Sequence, residues 1–217
     1  MSYFNQRNKK NDINNIHIFD TIMPIITIDG NIGCGKTSLL NYLHRYHKMV
    51  IDLEPVDNWM PYLTKMYNEN KEVFQFQIRV WLDRCWAQEK SDVVVLMERS
   101  PFFIRNAFLQ TVFENGLICH EENMILQELH DKTAYLWNDI HYIYLRSSPE
   151  KCLHRIKKRN RFSEQSISEE YLSQIHEKHE ECCSTLCLVN KCTVIDVENK
   201  TIAEIAKEVI DCISKIT

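Results

Sequence analysis

The chain has 217 residues, and 26 Lys and Arg stand against 30 Asp and Glu for a formal charge of −4. That acidic balance argues against general binding to nucleic acid backbone, and 44% apolar with 26% charged residues is the mix of an ordinary globular protein. The longest purely apolar run, 93–97, is too short to cross a bilayer, and residues 1–22 hold neither a signal-peptide core nor a transit-peptide composition.

Residues 1–22, rich in Asn, are expected to form a loose arm ahead of a single domain over 23–217. Residues 25–28 read as a buried strand closed by Asp29-Gly30, and 36–44 as a helix on Leu39, Leu40 and Leu43. A second strand is expected over 49–53, a long helix over 72–89, and a third strand over 93–97. This third strand is apolar at every position, as in a parallel sheet covered on both faces. Helices follow over 104–114 and 121–137, a fourth strand over 141–145, and a helix over 150–159 with Pro149 at its start. Helix 168–187, strand 193–197 and an amphipathic helix over 202–213 complete the series. Strands alternating with helices predict an α/β fold with a parallel sheet flanked by helices. Nine cysteines, an odd count without a C-x-x-C pair, read as reduced thiols in a cytoplasmic protein.

The segment Gly30-Asn31-Ile32-Gly33-Cys34-Gly35-Lys36-Thr37 fits G-x-x-x-x-G-K-[ST] in full. Glycines let backbone N–H groups turn inward around an anion, and the helix that follows points its positive end at the same place. Lys36 is positioned to reach the β- and γ-phosphates, and the Thr37 hydroxyl to ligate Mg²⁺. Three of the four glycines in the chain fall in this loop, between a predicted strand and a predicted helix. Guanine-specific switches need D-x-x-G and N-K-x-D segments; the nearest match, Asn190-Lys191-Cys192-Thr193, lacks the Asp.

A kinase of small molecules needs a base, an acceptor pocket and a basic lid. Glu54, at the carboxyl end of the second strand, stands on the rim where ligands sit in open α/β sheets. Glu98-Arg99-Ser100 follows the third strand on the same rim, an acid suited to Mg²⁺ and an Arg suited to phosphate. Residues 151–161 carry six Lys or Arg and no acid. Arg155 and Arg159 share a helix face there and, with Arg161, offer guanidinium forks to a triphosphate.

Assembled, these segments resemble the deoxynucleoside kinase family, the group of deoxycytidine, deoxyguanosine and mitochondrial-type thymidine kinases. The resemblance runs from about residue 25 to the end. It rests on the phosphate loop, Glu54-Pro55-Val56 with Trp59, Met66-Tyr67 with Phe76-Gln77, Glu98-Arg99-Ser100, and the Pro149–Gln165 lid stretch. It implies a P-loop kinase fold with a five-stranded parallel sheet, helices on both sides and a basic lid, usually as a homodimer. It implies Glu54 as base for the 5′-hydroxyl with Arg99 beside it, and Glu98 beside Mg²⁺. Tyr67 and Glu164 then hold the sugar 3′-hydroxyl, Gln77 reads the base, Phe108 stacks on it, and Trp59, Met66, Arg84 and Ile104 complete the pocket. Three departures stand out. Tyr67 and Gln77 are one residue closer than usual, so Gln75 competes for the base-reading role. Asn160 replaces a common Gly in the lid. Ile104 replaces an acid, which leaves Arg84 without that partner. The expected activity is ATP·Mg²⁺-dependent phosphorylation of deoxynucleosides, thymidine first and deoxycytidine second, in nucleotide salvage. A nucleoside monophosphate kinase and a non-kinase nucleotide switch are the alternatives.

Overall fold

Five short parallel strands order the molecule: β1 (Ile25–Asp29), β2 (Val50–Asp52), β3 (Val95–Glu98), β4 (Ile140–Arg146) and β5 (Cys192–Asp196). They lie side by side as β2-β3-β1-β4-β5, with β1 and its phosphate loop in the centre. The computed structural model describes residues 25–86, 93–137 and 140–216; the expected arm at 1–22 lies outside these.

The sheet is covered on both faces because its strands are apolar on both. Ile26, Ile28, Leu96, Ile143 and Leu145 pack against Leu39, Leu40 and Leu43 of α1 (Lys36–His47) and Val209 and Ile213 of α9 (Ile202–Ile216). Met97, Tyr142 and Tyr144 on the other face meet Phe103 of α4 (Pro101–Phe103) and Cys183 of α8 (Glu169–Leu188). A third cluster contains no strand residue. It joins Trp59, Leu63 and Met66 of α2 (Val56–Glu69), Phe76 and Val80 of α3 (Val73–Trp81), and Leu126 of α6 (His120–Thr133), and it walls one end of the site.

The fold class read from the sequence is the one observed, and the differences are local. Helix α2, absent from the expected series, runs unbroken through Pro61, and its buried residues Trp59, Leu63 and Met66 recur at helical spacing. The expected long helix over 72–89 stays α-helical only to Trp81 and continues as a π turn, Leu82–Trp86; positions 87–89 lie outside the described residues. The segment after Pro101 also widens, into a π turn at Ile104–Leu109 before α5 (Gln110–Glu114). Each π turn inserts a residue and re-aims the side chains beyond it, which apolar spacing does not encode. Strand β3 begins at Val95 rather than 93, and β2 shrinks to three residues. Helix α7 (Pro149–Arg159) starts at Pro149 under a Ser148 cap and ends at Asn160 with φ 53°. Asn tolerates the left-handed conformation, so it serves where a Gly is common.

Candidate active site: a cleft from the phosphate loop to an aromatic pocket

The loop between β1 and α1 is shaped by close approaches that only glycine permits. A Cβ at Gly30 (φ +138°) would lie 2.7 Å from the Leu145 carbonyl oxygen, and one at Gly33 (φ +81°) 2.6 Å from that of Cys152. Lys36 is 5% exposed, and its Nζ donates to the carbonyls of Gly30 and Asn31, each at 3.0 Å. The Asn31 amide donates to the Leu172 carbonyl at 2.8 Å, which latches α8 to the loop.

At the carboxyl ends of β2 and β3 the acidic groups converge. The Glu54 carboxylate is ion-paired with Arg99, and the Glu54 N–H donates to Glu98 Oε2 at 3.3 Å. Thr37 Oγ1 donates to Glu98 Oε1 at 2.6 Å. Burial pushes the Glu54 carboxyl up, but the charges of Arg99, Lys36 and Arg84 outweigh it and the net shift is downward. Glu98 moves upward, through burial first and the Glu54 charge second. Arg99 itself has φ 64°, rare for a non-glycine residue. Its conformation is held by Arg99 N–H to Ile28 O at 3.0 Å and by buried Asp29, which accepts from the Ser100 N–H at 2.8 Å and hydroxyl at 3.0 Å. The Arg99 guanidinium lies 3.9 Å over the Phe108 ring, so its charge faces the carboxylates while its face covers an aromatic wall.

The lid lies across this rim. Arg155 donates to Cys34 O at 3.2 Å and Ser147 Oγ at 3.1 Å. Arg159 and Arg161 both hold Glu164, at 2.5 and 3.2 Å. Ser166 Oγ donates to the Tyr67 carbonyl at 2.7 Å, docking the segment after the lid onto α2.

One cavity of about 310 Å³ runs through all of this. Its walls include Ile32, Gly33, Gly35, Lys36 and Thr37, then Glu54, Glu98 and Arg99, then Trp59, Met66, Tyr67, Gln77, Ile104 and Phe108, with Arg155, Arg159, Arg161 and Glu164 above. Gln77 is 5% exposed and lines the cavity, whereas Gln75 is exposed to solvent.

Arg84 corrects the expectation. It does not line the cavity. It is 2% exposed and ion-paired with Asp52, at 3.0 Å, so it has a partner that the sequence reading did not assign. The π turn carries it to the carboxyl ends of β2 and β3, where it meets Asp52, the Leu53 carbonyl and the Glu98 carbonyl. Beyond the expected residues, Val56, Leu63, Phe76, Val80 and Tyr171 also wall the cavity, and the Tyr171 ring centroid is 6.0 Å from that of Tyr67. Tyr171 was legible in principle: it lies in the first turn after the Ser168 cap, directly behind the lid.

The donor set at Thr37 and Glu98 consists of hard oxygens, which suits Mg²⁺. Among the described residues no helix is long and apolar enough to cross a membrane.

The sequence profile described as deoxynucleoside kinase matches residues 26–217. Protein 143R of Invertebrate iridescent virus 6 is 34% identical over 193 residues, covering 86% of this chain and 95% of that one. Human mitochondrial thymidine kinase 2 is 32% identical over 169 residues, 72% of this chain and 63% of that one. A deoxyadenosine kinase structure from M. mycoides superposes with a TM-score of 0.76 at 22% identity, covering 89% of this chain and all of that chain, which speaks to fold. The profile match over nearly the whole chain and the likeness to protein 143R show that the chain belongs to the deoxynucleoside kinase family.

Proposed function

We propose that this protein transfers the γ-phosphoryl group of ATP to the 5′-hydroxyl of a pyrimidine deoxynucleoside, thymidine ahead of deoxycytidine, as a step of nucleotide salvage. The observation that carries this reading is the single cleft in which Glu54 sits between the phosphate loop and the aromatic pocket. The nucleoside lies among Trp59, Tyr67, Gln77, Ile104 and Phe108, with Tyr67 and Glu164 toward its 3′-hydroxyl. Glu54 accepts the 5′-hydroxyl proton, after which the oxygen attacks in line. Arg99 keeps Glu54 ionised and turned to the rim. Lys36 and the lid arginines spread the charge that develops on the transferring group. Thr37 and Glu98 would hold Mg²⁺, which supplies charge neutralisation on the phosphates when bound. The closed lid keeps water from the donor.

The base preference follows from what the pocket lacks. With Arg84 tied to Asp52, Gln77 is the polar group facing the base, and an amide pairs with thymine or cytosine according to its flip. Ile104 presents an apolar surface to a 5-methyl group. A monophosphate acceptor needs no carboxylate base at the position of Glu54, which disfavours the thymidylate-kinase alternative. The reading includes one domain over 23–217, a homodimer and a cytoplasmic setting. A phosphate-transfer assay on thymidine, deoxycytidine, deoxyadenosine, deoxyguanosine and thymidylate tests it. Thymidine leading is the expected result; thymidylate as the sole acceptor would overturn the activity, and a purine leading would overturn the preference alone.

A further inference from the structure

Strand β2 is an edge strand of three residues, and its ladder with β3 ends at the pair Asp52↔Met97. Glu54 lies two residues beyond that pair, where no ladder bond fixes the chain. Arg84 occupies this gap. Nη1 donates to Asp52 Oδ1 at 3.1 Å and to the Leu53 carbonyl at 3.3 Å, and Nη2 donates to the Glu98 carbonyl at 3.0 Å and pairs with Asp52 Oδ2 at 3.0 Å. Leu53 C=O belongs to the peptide that carries the Glu54 N–H, and Glu98 C=O to the residue whose carboxylate accepts from that N–H. One planar guanidinium thus fastens the peptide before Glu54 to the backbone of Glu98. A fork with fixed donor directions suits this task, and a point-like ammonium does not. Asp52, half exposed at the strand edge, turns the fork and neutralises it.

We propose that Arg84, oriented by Asp52, is a positioning residue that sets the distance between Glu54 and Glu98 and takes no part in reading the nucleobase. The proposal rests on the kinase reading above and assigns to these two residues a part that reading leaves open. Arg84 is buried under the rim and outside the cavity, so nucleoside binding does not feel it directly. Loosening the strand ends moves the base relative to the 5′-oxygen, and a misplacement of about 1 Å costs on the order of 10²-fold in rate.

The test is steady-state kinetics of Arg84→Met, Arg84→Lys and Asp52→Asn with thymidine, deoxycytidine and deoxyadenosine, together with nucleoside affinity by calorimetry. For Arg84→Met, kcat should fall by roughly 10–100-fold, by the same factor on every nucleoside, with affinity within about twofold of wild type. Arg84→Lys should recover part of the loss. Asp52→Asn, which keeps the shape of a half-exposed side chain and removes its charge, should lower kcat by roughly 3–10-fold with the same indifference to the base, with the folded fraction checked by circular dichroism. A loss of affinity confined to one nucleoside, or an Asp52→Asn enzyme with unchanged kcat, overturns the proposal. A wild-type enzyme that phosphorylates no nucleoside overturns instead the function on which it rests, and the proposal with it.

Discussion

The two ends of the cleft are built from different parts of the chain. The phosphate end is backbone: a loop between the central strand and α1, its shape dictated by glycine contacts with the carbonyls of Leu145 and Cys152. The other end, proposed above for the nucleoside, is side chains on α2, α3 and the π turn at Ile104–Leu109, packed in a cluster without a strand residue among those described. Backbone geometry recognises any triphosphate, whereas a wall of side chains is free to specialise by substitution. Donor binding and acceptor choice should therefore fail separately.

The largest effect belongs to the group between the two ends. Glu54→Gln keeps shape and removes the base, so turnover should fall by roughly 10²–10⁴-fold while thymidine and ATP still bind, as single-turnover rates and calorimetry would show. Gly33→Ala should break the phosphate end alone. Its Cβ meets backbone at 2.6 Å in a left-handed conformation, and ATP affinity should drop by roughly tenfold or more with thymidine affinity retained. Equal loss of both ligands would show the two ends to be one unit.

Predictions on the nucleoside end are smaller. A substrate without the 3′-hydroxyl forfeits its hydrogen bonds to the buried Glu164 carboxylate and the Tyr67 hydroxyl, which costs about 1–3 kcal/mol in kcat/KM. Equal efficiency for thymidine and its 3′-deoxy analogue would remove Glu164 from the sugar site. Acid should also weaken the fold around this end. His179 stacks on Phe103 and stands edge-on to Phe108, with ring centroids at 4.9 and 5.6 Å, and His130 packs near Cys85. Burial is the main cause that holds His179 down at about 3 and His130 at about 4. Both stay neutral in the fold while the unfolded chain takes up protons below about pH 6.5, so stability falls as pH drops from there. At pH 5 the loss is about 2 kcal/mol for each. Urea denaturation at pH 7 and pH 5 should show it, and His130→Gln should shrink the difference. Finally, Ile104→Asp places an acceptor for an exocyclic amino group on the pocket wall. The deoxycytidine-to-thymidine ratio of kcat/KM should rise by roughly tenfold. An unchanged ratio would move the base elsewhere in the cleft.

Local chemistry was legible in the sequence because it is local. The phosphate loop is a contiguous pattern whose glycines and Lys36 have one geometric use between a strand and a helix. The five strands announce themselves by apolar runs, and Pro149 marks its helix start. Glu54, Glu98 and Arg99 were placed on the rim because strand ends in a parallel sheet point the same way. Arg84 was not legible. Its position depends on where helix α3 gives way to a π turn, and its partner Asp52 lies 32 residues away on an edge strand. Neither the spacing of apolar residues nor a resemblance to relatives carries that information. The same holds for Val56 and Leu63 on α2 and Phe76 and Val80 on α3, whose place in the cleft is set by how the helices pack. Sequence determined which groups stand at the ends of strands; tertiary packing decided which of them face the cavity and which lie beneath it, because that depends on contacts between segments far apart in the chain.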